Sequence, residues 1–105
     1  MMSDFQDKVL DATAKIPEGK VSTYKEVAKA IGKPNAYRAV GNALGNNPHP
    51  VKIPCHRVVR SDGRVGGFGL GTDRKIELLR SEGIEIKDGK IDLEKYLAEN
   101  LNSEG

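Results

Sequence analysis

Cys55 is the only cysteine in a chain of 105 residues, and His56 follows it directly. The pair lies in NNPHPVKIPCHRVVRSDGRVGG, residues 46–67, behind Pro48, Pro50 and Pro54 and close to the other histidine, His49. A thiol attacks as its thiolate, so an adjacent imidazole that takes the proton, with cations nearby, is the arrangement for nucleophilic chemistry. Lys52 and Arg57 supply the cations. Pro54 restricts the backbone just before the thiol and blocks a longer helix upstream. The base needs an orienting carboxylate in turn. Glu77, Glu82 and Glu85 all qualify, and spacing does not separate them. Two other readings compete. A lone cysteine is commonly inert packing. A zinc site would have at most His49, Cys55 and His56, in no familiar zinc spacing and with neighbouring side chains that do not converge, so no metal is expected. GGFGLG, residues 66–71, is neither a Walker loop nor a strand-to-helix dinucleotide turn, and reads as a loop that lets backbone approach a ligand.

The elements that must position these residues predict one domain, mostly α with short β hairpins. Apolar positions at helical spacing mark a helix over residues 3–16, ended by Pro17 and Gly19. STYKEVAKAIG (22–32) is a second helix, capped by Ser22 or Thr23 and closed by Gly32. After the KPN turn, AYRAVGNALGNN (36–47) is a third, with Ala36, Ala39, Val40, Ala43 and Leu44 inward and Tyr37, Arg38 and Asn42 outward. Two short helices and a tight turn make a helix-turn-helix over about 22–46. HRVVRSDGRVGGF (56–68) reads as a hairpin on the Asp62-Gly63 turn. TDRKIELLRSEG (72–83) is a helix capped by Thr72 or Asp73, with Ile76, Leu78 and Leu79 inward and Gly83 as its stop. IEIKDGKID (84–92) is a second hairpin around Asp88-Gly89, LEKYLAENL (93–101) a last short helix, and NSEG is expected to fray.

Composition fits a water-facing domain: 37% hydrophobic, 30% charged and no tryptophan. The net charge of +2 is modest, but residues 52–64 gather Lys52, Arg57, Arg60 and Arg64 against Asp62 alone, which suits a phosphate backbone. One cysteine excludes an internal disulfide, and no signal core or membrane-length run is present. The expectation is an intracellular, cytoplasmic protein (nuclear in a eukaryote) with no membrane contact.

IPCHRVV at 53–59, preceded by GNNPHPVK, resembles the active-site signature of the O6-alkylguanine-DNA alkyltransferases. GKVSTYKEVAKAIGKPNAYRAVGNALGNNP resembles that family's helix-turn-helix, and SDGRVGGFGLGTDRKIELLRSEG its active-site loop (65–72) and following helix. The resemblance covers about residues 5–85 and corresponds to the catalytic C-terminal domain only. It implies a winged helix-turn-helix that repairs double-stranded DNA by single-turnover transfer of an alkyl group from O6-alkylguanine to Cys55, as a monomer and without a cofactor. It further implies that His56 acts through water as the base, that Glu82 orients it, and that Tyr24 protonates the departing guanine. Arg38 would fill the stack behind the flipped nucleotide. Tyr37, Gly41, Asn42 and Arg57 would line the DNA face in the minor groove. Asn47 would brace the turn into the site. The carbonyls of Cys55 and Val58 would meet the guanine amine, and Phe68 and Gly69 would face the base.

The chain departs from the family pattern in places. Phe68 stands where a tyrosine is common and Gly69 where a serine or arginine is common, which removes polar groups from the loop. Many relatives carry an N-terminal domain, some with a structural zinc; neither is implied here. Two alternatives follow. The alkyltransferase-like proteins are similarly short and bind lesions without transfer, but replace the cysteine that is present here. A winged-helix regulator would keep Cys55 for packing.

Overall fold

The computed structural model describes residues 4–47 and 51–98. Pro48, His49, Pro50, the end of the predicted final helix and the NSEG tail lie outside the described residues. The order of elements is α1 (Asp4–Ala14), β1 (Ser22–Thr23), α2 (Tyr24–Ala30), α3 (Tyr37–Gly45), a 3₁₀ turn (Cys55–Arg57), β2 (Val58–Val59), α4 (Thr72–Ser81) and α5 (Leu93–Tyr96). The mostly helical architecture predicted from periodicity holds. Among the described residues no helix is long and apolar enough to cross a membrane.

Local chemistry sets the helix ends. Thr23, not Ser22, is the cap of α2: its Oγ1 accepts from the Glu26 amide at 3.0 Å. α4 begins from Gly71 with no side-chain cap, so Thr72 and Asp73 sit inside its first turn and not at its cap. Gly83, at φ 88°, ends α4: its amide donates to Arg80 O at 3.0 Å and the next, from Ile84, to Leu79 O at 3.1 Å. That pair of bonds is a Schellman stop.

α1, α2 and α3 pack on one another around Val9, Leu10, Val27, Ala28, Val40 and Leu44. Ala39, predicted inward, is exposed, because it lies about a quarter-turn from the centre of the buried face at 100° per residue. A second core joins Val21, Val59, Val65, Leu79, Ile84, Ile86, Ile91 and Tyr96. The two cores meet at a two-stranded sheet. β1 and β2 run parallel, Ser22 opposite Val58 and Thr23 opposite Val59. Side chains alternate along a strand, so Val58 enters the first core and Val59 the second.

The predicted 56–68 hairpin is therefore modified. Its turn closes, with the Arg60 amide on Arg64 O at 2.9 Å, but Val58 and Val59 pair with β1 and not across the turn. The turn packs instead on the second hairpin, where Arg64 bridges Lys90 and the Ile91 amide donates to Gly63 O at 2.8 Å. That second hairpin forms as expected, with Asp88 at φ 52° and Gly89 at φ 72° between Lys87 and Lys90. The segment ending at Ala98 lies along Val21, covering the edge of the core.

Candidate active site

Pro54 has φ −76° and ψ 62°, and the Cys55 amide donates across it to Ile53 O at 2.7 Å. This is an inverse γ-turn, and it delivers the chain into the 3₁₀ turn that carries Cys55, His56 and Arg57. Asn47 Nδ2 donates to Ile53 O at 3.1 Å and so ties the end of α3 to this approach. The Cys55 thiol is buried, at 8% exposure, and the His56 ring more so, at 1%.

His56 Nε2 lies 2.8 Å from Glu82 Oε2 at the C-terminal end of α4. Of the three candidate glutamates, Glu82 is the one that meets the ring. Arg57 holds the same carboxylate, with Nε on Oε1 at 2.8 Å and Nη2 on Oε2 at 2.9 Å, and its Nη1 donates to Ile16 O at 2.8 Å. This corrects the expectation that Arg57 faces DNA: its guanidinium is turned inward, where a bidentate carboxylate satisfies it. Burial pushes the Glu82 carboxyl up, but the hydrogen bonds from Arg57 and His56 outweigh it and hold the group below the usual range. Burial lowers the His56 imidazole, against the raising effect of Glu82. A neutral ring that donates from Nε2 to an ionised Glu82 leaves Nδ1 with a lone pair. Nδ1 is buried and has no hydrogen-bond partner among the described residues.

Beside the thiol is a cavity of about 240 Å³, bounded by Tyr24, Gly41, Cys55, Gly67, Phe68 and Gly69. Phe68 stands edge-on to His56 with centroids 6.3 Å apart. Burial, then the charge of a Cys55 thiolate, raises the Tyr24 phenol above its ordinary value, so it keeps its proton. A second cavity of about 420 Å³ shares Tyr24, Gly41 and Gly67 with the first and continues to Tyr37, Arg38 and Arg60. Gly41 allows the close approach of helix and phenol: a Cβ there would stand 3.9 Å from the Tyr24 ring. Lys25, also on this wall, lies 5.6 Å over the Tyr37 ring. Asn42 is exposed on α3 but lines neither cavity.

Two residues of this neighbourhood escaped the sequence reading. Lys25 joins Arg60, already part of the cationic stretch, on the cationic wall. Lys75, on α4, is fully buried and donates to Val58 O at 2.8 Å and to Gly67 O at 3.1 Å. The Val58 carbonyl expected to meet substrate thus already holds an ammonium on one side. The available signal was Lys75 falling one turn before Leu79, on the inward face of α4.

The family model described as 6-O-methylguanine DNA methyltransferase, DNA binding domain, matches residues 4–84. The chain belongs to this family. The matched segment is described as the DNA-binding domain and not as a catalytic one, yet Cys55, His56 and Glu82 all fall inside it. A methylated-DNA–protein-cysteine methyltransferase of Methanosarcina barkeri is 52% identical over 80 residues, covering 76% of this chain and 51% of that protein. The chain spans about half the length of several such methyltransferases that it matches. A DNA base-flipping protein of Vibrio parahaemolyticus is 45% identical over 96 residues, 90% of this chain and 96% of that one. The structure of S. pombe Atl1 in complex with damaged DNA containing O6-carboxymethylguanine superposes with a TM-score of 0.85 at 36% identity, over 94% of this chain and 98% of that one.

Proposed function

We propose that the protein repairs DNA by moving an alkyl group from O6 of guanine to Cys55, once per molecule. The observation that carries this reading is the relay of half-buried Arg57 and Glu82 and buried His56, closed by a 2.8 Å contact and set directly beside the only thiol. His56 Nδ1 takes the thiol proton through a water. Sulfur attacks the alkyl carbon, the S–C bond forms as the C–O6 bond breaks, and the electron pair leaves with guanine. Tyr24 gives guanine its proton, and the imidazolium proton finally neutralises the phenolate, so charge balances over the cycle.

A base stacked in duplex DNA cannot reach a buried thiol, so the nucleotide is flipped into the Cys55 cavity. Arg38 and Tyr37, exposed on α3 in the adjoining cavity, face the duplex. Arg38 fills the gap in the stack, since a planar cation both stacks and meets phosphate. The groove is the minor one, where readout is degenerate and suits repair at any sequence. Phe68 and Gly69 cover the flipped base, and Asn47 keeps the approach to Cys55 rigid.

The test is intact-protein mass after incubation with a duplex carrying O6-methylguanine. A gain of one methyl group at Cys55 is expected, and Cys55→Ser should show none while still binding the duplex. The near full-length likeness to the base-flipping protein and to Atl1 favours a second reading, lesion binding without transfer. Tight binding of the duplex with no mass gain by the native protein would establish that reading and overturn the first.

A further inference from the structure

Among the described residues, the one buried charge that this mechanism leaves unused is Lys75. It sits on the inner face of α4 at 0% exposure, one turn from Leu79, where an apolar side chain would pack. Its acceptors are two neutral carbonyls, and among the described residues it makes no ion pair with a carboxylate. An ammonium removed from water without a counter-charge is unfavourable. Retaining one here requires a use for it.

Its surroundings indicate that use. The two carbonyls belong to Val58, which follows the 3₁₀ turn of Cys55, and to Gly67, on the loop across the cavity from it. Nζ also lies 6.0 Å over the Tyr24 ring. The titratable groups electrostatically linked to it are Cys55 and His56 on the turn: a Cys55 thiolate raises Lys75, and Lys75 lowers His56. Resting on the transfer reading above, we propose that Lys75 is a positioning residue for the reaction, a preorganised counter-charge that the Cys55 thiolate neutralises, fastened so as to hold the two backbone walls of the cavity apart at a set distance. Before ionisation Lys75 has no counter-charge. Transfer of the thiol proton to His56 leaves the net charge of the site unchanged but sets the thiolate against Lys75, and when the negative charge passes through guanine to Tyr24 it is again beside the same ammonium. Charge fixed in advance where charge develops is the most effective form of electrostatic catalysis. Burial lowers Lys75 to about 8, which still leaves it largely protonated at neutral pH.

The coupling is reciprocal, so it is readable on the lysine. The full chain, labelled at the lysine side-chain carbons, is titrated by NMR as native protein and as Cys55→Ser, a substitution small enough to preserve the fold. The Lys75 midpoint is expected to fall in Cys55→Ser, because the thiolate that favours the ammonium is gone. Identical Lys75 titrations in the two proteins would overturn the proposal. In parallel, iodoacetamide modification of Cys55 is followed against pH in Lys75→Met and Lys75→Arg. The methionine variant should react about tenfold more slowly at neutral pH, and the arginine variant should recover part of the rate, as a purely packing role would not. Neither assay involves DNA. A coupled Lys75 in a protein that takes no methyl from DNA would retain Lys75 as the counter-charge of the Cys55 thiolate but remove the transfer reading and with it the positioning role, whereas an uncoupled Lys75 in an active protein would retain the transfer reading and overturn the counter-charge.

Discussion

The two walls of the Cys55 cavity are built on opposite plans. One is the 3₁₀ turn braced by the end of α4, where buried His56 and half-buried Arg57 and Glu82 share every polar group of the carboxylate. The other is the loop from Gly66 to Gly71, where Gly67, Gly69 and Leu70 are exposed and a Cβ at Gly67 or Gly69 would touch nothing within 4 Å. The difference teaches where this site needs fixed geometry. Proton transfer depends steeply on distance and orientation, so the relay is clasped. A flipped base with an alkyl group must enter and leave, so the opposite wall carries little side-chain bulk.

Breaking the clasped wall should have the largest effect. Glu82→Ala removes the acceptor of both His56 and Arg57. Transfer in a single-turnover assay should fall about 10²–10⁴-fold. Stability should drop by about 3 kcal/mol, the low end for a broken buried pair, because Arg57 keeps some solvent contact. A thermal melt that stays in place would show that the clasp is not structural.

Acid should act on the same wall next. His56 is lowered by burial, so the folded protein keeps the ring neutral at pH values where an unfolded chain, with a pKa of about 6.5, takes a proton. The stability from the neutral ring is therefore present above about pH 6.5 and is lost as pH falls below it. Transfer should hold its rate through about pH 6.5 and decline only at more acidic pH, where the folded base protonates. A rate already halved above that point would mean that the base is not this histidine.

Gly63 tests the support behind the loop. It has φ 90°, and a Cβ would come within 2.7 Å of Ile91 O. Gly63→Ala should cost about 1–3 kcal/mol and lower the melting temperature by about 4–8 °C for each of them, by parting the two hairpins. The smallest effect is expected on the open wall itself. Gly69→Ser should leave stability within about 0.5 kcal/mol and change the transfer rate by less than tenfold. A large loss there would erase the contrast between the walls.

Whether an element could be read in advance depended on how local its causes were. The Thr23 cap and the Asp88-Gly89 turn are made within a few residues, and both were predicted from those residues, the cap as one of two choices. Val58 and Val59 were correctly seen as a strand but assigned the wrong partner, since pairing with Ser22 and Thr23 joins distant segments and leaves no local signature. Charge misled at Arg57, expected on the DNA face, which turns in because acceptors supplied by other elements satisfy it. Lys75, on which the sequence reading was silent, turns in for the same reason. Glu82 was separable from Glu77 and Glu85 by family resemblance and not by spacing.

By itself the sequence determined the reagents and the local frame: a single thiol next to an imidazole, a proline that turns the chain just before it, and helices with such local ends as the Thr23 cap and the Gly83 stop. These follow from covalent neighbours and short-range hydrogen bonds, which need no distant segment. Only the tertiary structure decided which carboxylate holds His56 from 26 residues away, which of the cations face solvent, and that an ammonium lies beneath the cavity. Those choices depend on which buried polar groups find partners once the two cores close on either side of Val58 and Val59.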